Sequence, residues 1–213
     1  MEAHIWPLYG LRLTTPRLEL RLPDAAALTE LAELAGGRIH DEAEMPFSVP
    51  WTAVGPQERM RGCFQHVLST VADWRPEAWT LSTAVVHEGT VIGRADLSGD
   101  AFAVVREART GSWLGADHQG RGFGTEMRAA LLHLAFEGLG AHSATSAAMA
   151  DNPRSRRVSE KLGYRPDGVS VAAVQGRARH LKHFRLDRAG WEAHRTVPVQ
   201  VHGLAAALPL FGR

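Results

Sequence analysis

Residues 117–127 read DHQGRGFGTEM, with Gly120, Gly122 and Gly124 at alternate positions just before a segment with helical spacing. From Thr125 onward Met127, Leu131, Leu134 and Ala135 recur at i, i+4, i+7 and i+8, while Glu126, Arg128 and Glu137 fall off that stripe. Directly upstream, RTGSWLGA (109–116) reads as a strand. A strand that passes through glycines into a helix leaves a row of unpaired backbone N–H groups at the helix start, where the aligned peptide dipoles also favour negative charge. Glycine removes the Cβ atoms that would hold a phosphate off the main chain, and it permits the positive φ angles that aim successive amides inward. The stretch reads as an anion cradle, with a plain tight strand-to-helix connection as the alternative. It is not a P-loop, because no lysine follows the glycines, and G-x-G-x-G is not the G-x-G-x-x-G of a dinucleotide fold.

Working outward, strands and helices interleave with no repeat and no low-complexity linker. LRLTTPRLELRL (11–22) alternates apolar and polar residues on both sides of Pro16, the pattern of a half-exposed strand. DAAALTELAELAGG follows as a helix, with Asp24 as N-cap and Gly36-Gly37 as the stop. A second helix runs from about Gln57 to Asp73, and residues 79–97 read as two strands joined by a turn at His87-Glu88-Gly89. The helix after the glycines ends at Gly138 or Gly140. HSATSAAMA (142–150) is then a strand of small residues. DNPRSRRVSEKLG (151–163) is a short helix capped by Asn152, with Pro153 in its first turn and Gly163 past its end. Two last strands, about 169–175 and 179–187, flank Gly176. The order β-α-α-β-β-β-α-β-α-β-β defines a mixed α/β fold. The apolar tail from Val197 to Gly212 either docks on the core or forms a subunit contact.

Composition narrows the class. The chain has 213 residues, 45% hydrophobic and 22% charged, enough for one sizeable globular domain or two small ones with a real core. With 24 basic and 23 acidic side chains the net charge is +1, so no global field argues for nucleic acid or an anionic membrane. The lone Cys63 rules out an internal disulfide, and its place in an amphipathic helix (RMRGCFQHVL) reads as a buried core thiol, with a nucleophile as the alternative. MEAHIWPLYG has no basic start followed by an apolar run, and no stretch approaches the roughly 18 apolar residues of a membrane span; the expectation is a cytoplasmic protein.

Gln119, Gly122 and Gly124 match the Q/R-x-x-G-x-G/A signature of the GCN5-related N-acetyltransferases, which the sequence resembles. The resemblance continues into DNPRSRRVSEKLGY, where Asn152, Ser155, Val158, Glu160, Lys161, Gly163 and Tyr164 follow the second signature of the RimJ/RimL-type branch. It covers about residues 107–168, and LTTPRLELRL is similar to that branch's first strand. What it implies is a single domain over residues 1–213, with 197–213 as a C-terminal tail. It implies a mostly antiparallel central sheet splayed in the middle, with helices on both faces, and acetyl-CoA or another acyl-CoA, such as succinyl-CoA, as donor. By the same resemblance Gln119, Gly120, Arg121, Gly122, Phe123, Gly124 and Thr125 hold the pyrophosphate. Trp113 and Leu114 offer backbone contacts to the pantetheine arm and thioester, Asn152 touches the coenzyme, and Ser155 lies near the sulfur as proton donor. For Asn152 helix capping is a sufficient reason, and Ser155 also reads as a plain hydroxyl near a helix start.

Acyl transfer to an amine sets further requirements. An amine with a pKa near 10.4 is unprotonated in about one molecule per thousand at neutral pH, so the site must remove a proton. Candidates for the base are Asp96, Glu107 and His118, each with a structural role as the alternative, and a water relay would also serve. HDEAEMPFSVPW (40–51) mixes Asp41, Glu42 and Glu44 with Met45, Phe47 and Trp51; Glu44, Met45, Phe47 and Trp51 are candidates for the acceptor pocket, and a solvated loop with core anchors is the alternative. Trp6, Trp74 and Trp79 read as core, with a place in a pocket wall as the alternative. His180 and His183 fall on opposite faces of a predicted strand, so no metal is expected. The expected partner is an amine-bearing small molecule or a protein N-terminus, not nucleic acid or membrane, and the protein is expected to be a monomer or homodimer. A non-catalytic coenzyme A sensor on the same fold, or an unrelated nucleotide-binding α/β protein, are the other readings.

Overall fold

The structure is a computed structural model that describes residues 3–213; Met1 and Glu2, which open the stretch read for a leader, lie outside the described residues. Nine strands form one sheet: β1 (Arg12–Thr14), β2 (Glu19–Arg21), β3 (Ala78–His87), β4 (Thr90–Asp100), β5 (Glu107–Leu114), β6 (Ser143–Met149), β7 (Arg165–Val174), β8 (Arg177–Asp187) and β9 (Gln200–His202). Their order is β7-β8-β6-β5-β4-β3-β2-β1-β9, and every neighbouring pair is antiparallel except β5–β6. Helices α1 (Ala25–Gly36) and α2 (Pro56–Ala72) cover one face, where Leu28, Leu31, Cys63 and Val67 bury Ala84 and Trp113. Helices α4 (Phe123–His133) and α5 (Pro153–Lys161) cover the other, over a larger core that includes Ala95, Leu97, Ala108, Ala144 and Phe184. Between β4 and β5 lies the one-turn α3 (Phe102–Val105); α6 (Arg188–His194) and α7 (Leu204–Ala207) come after β8 and β9.

Local chemistry explains most boundaries. The Asp24 carboxylate accepts from the Ala27 amide at 2.9 Å and starts α1. Glu88 and Gly89, at φ 50° and 82°, turn β3 into β4 with the two left-handed residues such a two-residue hairpin needs. Cys63 is buried, and desolvation raises its thiol pKa, as a structural cysteine should show. The helix after the glycines ends by widening into one π turn at Leu134–Gly138 before Gly140 at φ 69°. One expectation needs correction: residues 11–22 are two strands, not one. Pro16 has no N–H to continue a ladder, so the chain reverses there, with Thr15 N–H donating to Leu18 O and Leu18 N–H to Thr15 Oγ1.

The tail docks on its own chain. Its β9 adds to the sheet edge beside β1, with Leu13 opposite Val201. Phe211 is fully buried, its ring 5.3 Å from Trp74 and 4.8 Å from Trp79, and the Trp74 indole N–H donates to Leu210 O at 2.8 Å. Trp74 and Trp79 stack on each other in this corner, as core residues. Phe211→Ala is expected to lower the free energy of unfolding by about 3–5 kcal/mol, read from urea titration; a loss below about 1 kcal/mol would show that the tail is an ornament.

Candidate active site

The centre of the molecule is a fork between β5 and β6. The two pair in parallel only at Glu107/Ser143, Ala108/Ala144 and Arg109/Thr145; beyond that β5 stays with β4 as far as Leu114, and β6 stays with β8 as far as Met149. Between the arms lies a cleft of about 260 Å³. Amide direction along β5 follows from its bonds. Arg106 O accepts from His142 and Ser143 on the β6 side, whereas Gly115 N–H donates to Ile92 O on the β4 side. Because the direction alternates along a strand, Ser112 and Leu114 turn their N–H groups into the fork, where no strand pairs with them. Trp113 turns its amide to β4, so of the two residues expected to make backbone contacts only Leu114 has an amide available. The Trp113 ring instead backs the Trp51 ring at 5.3 Å.

The glycine stretch follows the free end of β5 and leads into α4. Gly120 and Gly122 have φ of 75° and 85°, left-handed values that a side chain would strain, and a Cβ at Gly120 would meet no atom. Gly124 lies within α4 proper; what it contributes is the missing Cβ rather than an unusual φ. The first backbone bonds of α4 are those of Thr125 and Glu126 N–H to Gly122 O. Among the described residues no acceptor pairs with the amides of residues 120–124, five in succession. Gln119 is a brace: its Nε2 donates to Ile39 O at 2.6 Å and Leu114 O at 2.9 Å, and its Oε1 accepts from Arg154 at 3.2 Å. The Phe123 ring is buried under the guanidinium groups of Arg17 and Arg121, at 4.6 Å and 5.0 Å, which leaves that residue only its backbone to offer.

Two polar residues that helical spacing assigns to solvent are buried. Glu126 accepts from Thr15 Oγ1 at 2.7 Å, from Arg17 N–H at 3.0 Å, and from the Arg17 guanidinium, whose Nη1 also donates to Arg121 O. This network ties the β1–β2 turn to the glycine loop. Arg128, also buried, donates from Nη1 to Ser159 Oγ at 2.9 Å. Their partners are distant in sequence, so periodicity alone misses both; a charged pair in the first turns of a helix that follows a glycine loop is the one local signal.

Other expected site residues divide. Ser155 and Asn152 both line the cleft, and Asn152 Oδ1 caps α5 by accepting the Ser155 amide at 3.0 Å. Phe47 and Trp51 form its apolar wall, 5.2 Å apart. Glu44 is exposed and Met45 lies behind, its sulfur near Thr52 Oγ1; neither lines the cleft, because the loop turns at Asp41–Glu44 before its apolar half reaches the sheet. Asp96 sits opposite the cleft-lining Gly111, but its carboxylate is held by Ser82 Oγ at 2.7 Å and Arg94 at 3.0 Å. Glu107 is not brought to the cleft: it begins β5 at the closed end of the fork, bound to Arg185 and Ser143. His118 stays outside the cleft lining, and His180 and His183 fall on opposite faces of β8.

A mixed sheet forked between parallel strands, with a glycine-started helix after β5, leaves an unpaired strand edge and a row of unpaired amides that an extended phosphate-bearing ligand would fit. Residues 17–165 match the model of the acetyltransferase (GNAT) domain, and the chain belongs to that family of N-acetyltransferases. It is 26% identical over 130 residues, 59% of its own length and 70% of the relative's, to "Putative ribosomal N-acetyltransferase YdaF" of Bacillus subtilis. In structure it is similar to a RimL ribosomal L7/L12 alpha-N-protein acetyltransferase in complex with coenzyme A, with a TM-score of 0.63 at 17% identity over 81% of this chain and 95% of that one. It is also similar to a GCN5-related N-acetyltransferase from Brucella melitensis, with a TM-score of 0.68 at 20% identity over 86% and 81% of the two chains.

Glu126→Ala is expected to cost about 1.5–3 kcal/mol of stability in urea unfolding, because a buried carboxylate that receives several bonds is removed while Arg17 can rehydrate. A change within 0.5 kcal/mol, roughly that of an ordinary surface site, would deny the network its role.

Proposed function

We propose that the protein is an acyl-CoA-dependent N-acyltransferase that moves an acyl group directly onto a primary amine while donor and acceptor are bound together. The observation that carries this reading is the run of partnerless amides at 120–124, continuous with the free edge of β5. The amides of Gly120, Arg121, Gly122, Phe123 and Gly124 would hold the diphosphate, with Gln119 bracing the loop and Thr125 completing the first turn of α4. Ser112 and Leu114 N–H groups would receive the pantetheine arm and the thioester oxygen, where a fixed donor stabilises the charge that develops. When bound, the acyl-CoA supplies a thioester carbon to which the amine nitrogen bonds as the C–S bond breaks, one proton leaving the amine and one reaching the sulfur.

Ser155 suits the second proton: it lines the cleft, and its hydroxyl makes no hydrogen bond within the described residues, so its proton is free to point at the sulfur. The first proton leaves through water at the cleft mouth, since the carboxylates of Asp96 and Glu107 are engaged in ion pairs. Phe47 and Trp51 form the wall against which the acceptor lies, and the exposed Asp41, Glu42 and Glu44 draw in a cation from outside. Relatives named for ribosomal-protein acetylation favour a protein N-terminus as acceptor over a lysine or small amine. We read the chain, tail included, as one domain acting in the cytoplasm; no helix of the described residues is long and apolar enough to cross a membrane.

Gly122→Val should raise the dissociation constant for coenzyme A at least about tenfold, since a branched side chain both strains φ 85° and fills the cradle; unchanged affinity in calorimetry would move the phosphates elsewhere. Ser155→Ala should lower thiol release about 10–100-fold over a panel of amines and N-terminal peptides while leaving the KM for the thioester within about twofold. Equal turnover would return Ser155 to helix start alone, and binding without turnover on any acceptor in the unaltered protein would favour a coenzyme A sensor.

A further inference from the structure

Among the described residues Arg128 is the only charged one lining the cleft, and no carboxylate pairs with it. It is 6% exposed. Its Nη1 is spent on Ser159 Oγ, its Nε is buried without a partner, and its Nη2 makes no hydrogen bond to the protein. Burial alone pulls its pKa down, yet a guanidinium stays protonated, so the fold carries a desolvated positive charge that nothing of its own neutralises. Of the neighbouring arginines, Arg94 pairs with Asp96, Arg185 with Glu107 and Arg17 with Glu126, while Arg121, Arg154 and Arg156 lie outside the cleft lining.

The surroundings show the side from which an anion would reach it. Strand register puts Thr110, Ser112 and Ser146 on the sheet face that α4 covers, so the floor of the cleft is three hydroxyl residues and one guanidinium. The opposite wall is apolar, with Phe47, Val49 and Trp51. An acetyl methyl group on that floor would meet hydroxyls and an uncompensated charge. The coenzyme phosphates do not answer Arg128 on this reading, because their cradle is at residues 120–124, a turn and more nearer the surface along the same helix. The acceptor does not answer it either, since it lies on the aromatic side. What remains is the acyl end, beside Ser155, whose carbonyl oxygen accepts from the same Ser159 hydroxyl that receives Arg128.

We infer that Arg128 and the hydroxyl floor seat a carboxylate at the far end of the acyl chain, so that the preferred donor is a dicarboxylic acyl thioester of the succinyl type rather than an acetyl one. The inference rests on the acyl-CoA reading of the cleft and adds the class of acyl group to it. A carboxylate would complete the guanidinium with a fork of charge-assisted bonds, the geometry that arginine favours.

The test needs no knowledge of the acceptor. Binding of succinyl-CoA, butyryl-CoA and free coenzyme A to the full chain is measured by calorimetry. Succinyl and butyryl have the same number of carbons and differ by carboxylate against methyl. The expected result is that succinyl-CoA binds at least about tenfold more tightly than butyryl-CoA, and that Arg128→Met abolishes this ratio. Arg128→Met should also melt no lower than the unaltered protein, because an uncompensated charge gives way to an apolar chain of similar length. If free coenzyme A binds and the two thioesters bind alike, the inference falls while the acyl-CoA reading stands. If free coenzyme A does not bind, both fall. The ratio in the unaltered protein decides the question even where the variant fails to fold. An unchanged ratio in a folded Arg128→Met overturns the assignment to Arg128.

Discussion

Everything in the site depends on β5 and β6 staying together for only three residue pairs. Each strand keeps a full antiparallel partner on its outer side, β4 for one and β8 for the other, so the sheet loses few bonds by opening in the middle. The opening leaves alternate amides of β5 without partners, and a buried N–H without an acceptor is costly unless a ligand or water supplies one. A peptide-like ligand laid along that edge would complete the sheet. The same parting separates the glycine turn, which follows β5, from the start of α5, which follows β6; Ser155 of α5 lines the cleft, and Arg154 beside it donates to Gln119 of the turn.

Much of the fold was legible because it rests on local chemistry. Asp24 and Asn152 cap helices as their positions imply, Gly89 takes a positive φ in the hairpin, and the Met127/Leu131/Leu134/Ala135 stripe is buried. Pro16 sits inside an alternating pattern that suits a single strand, and only the pairing of β1 with β2 shows that the chain reverses there. The residues that pattern reading misplaced are those whose environment is made by distant chain. Glu126 is polar on a helix and would face water were it not for the β1–β2 turn, which brings Thr15 and Arg17 over it from more than a hundred residues away. Glu107 looked available at the head of a strand and is spent on Arg185 of β8. Phe47 and Trp51 reach the cleft while Glu44 and Met45 do not, because hydrophobic rings are drawn under the sheet edge and an exposed loop carboxylate has no reason to follow.

The two buried charges of α4 belong to different problems, though they stand two residues apart. Glu126 sits in the first turn, where the helix dipole favours a negative charge, and its bonds to Thr15 and Arg17 replace the water it has lost. It costs the fold little and fixes the loop. Arg128 lies deeper, faces the cleft, and receives from the protein a single hydroxyl in return for desolvation. A fold stabilised only by packing would be better served by leucine there, since a neutral apolar chain of that size avoids the desolvation of a charge. An arginine in such a place makes physical sense as one half of an ion pair whose other half arrives with a ligand. On that argument the site poses two electrostatic demands of the same sign, one from the unpaired main-chain amides of residues 120–124 and one from the Arg128 side chain. A ligand that satisfies both must carry negative charge at both ends.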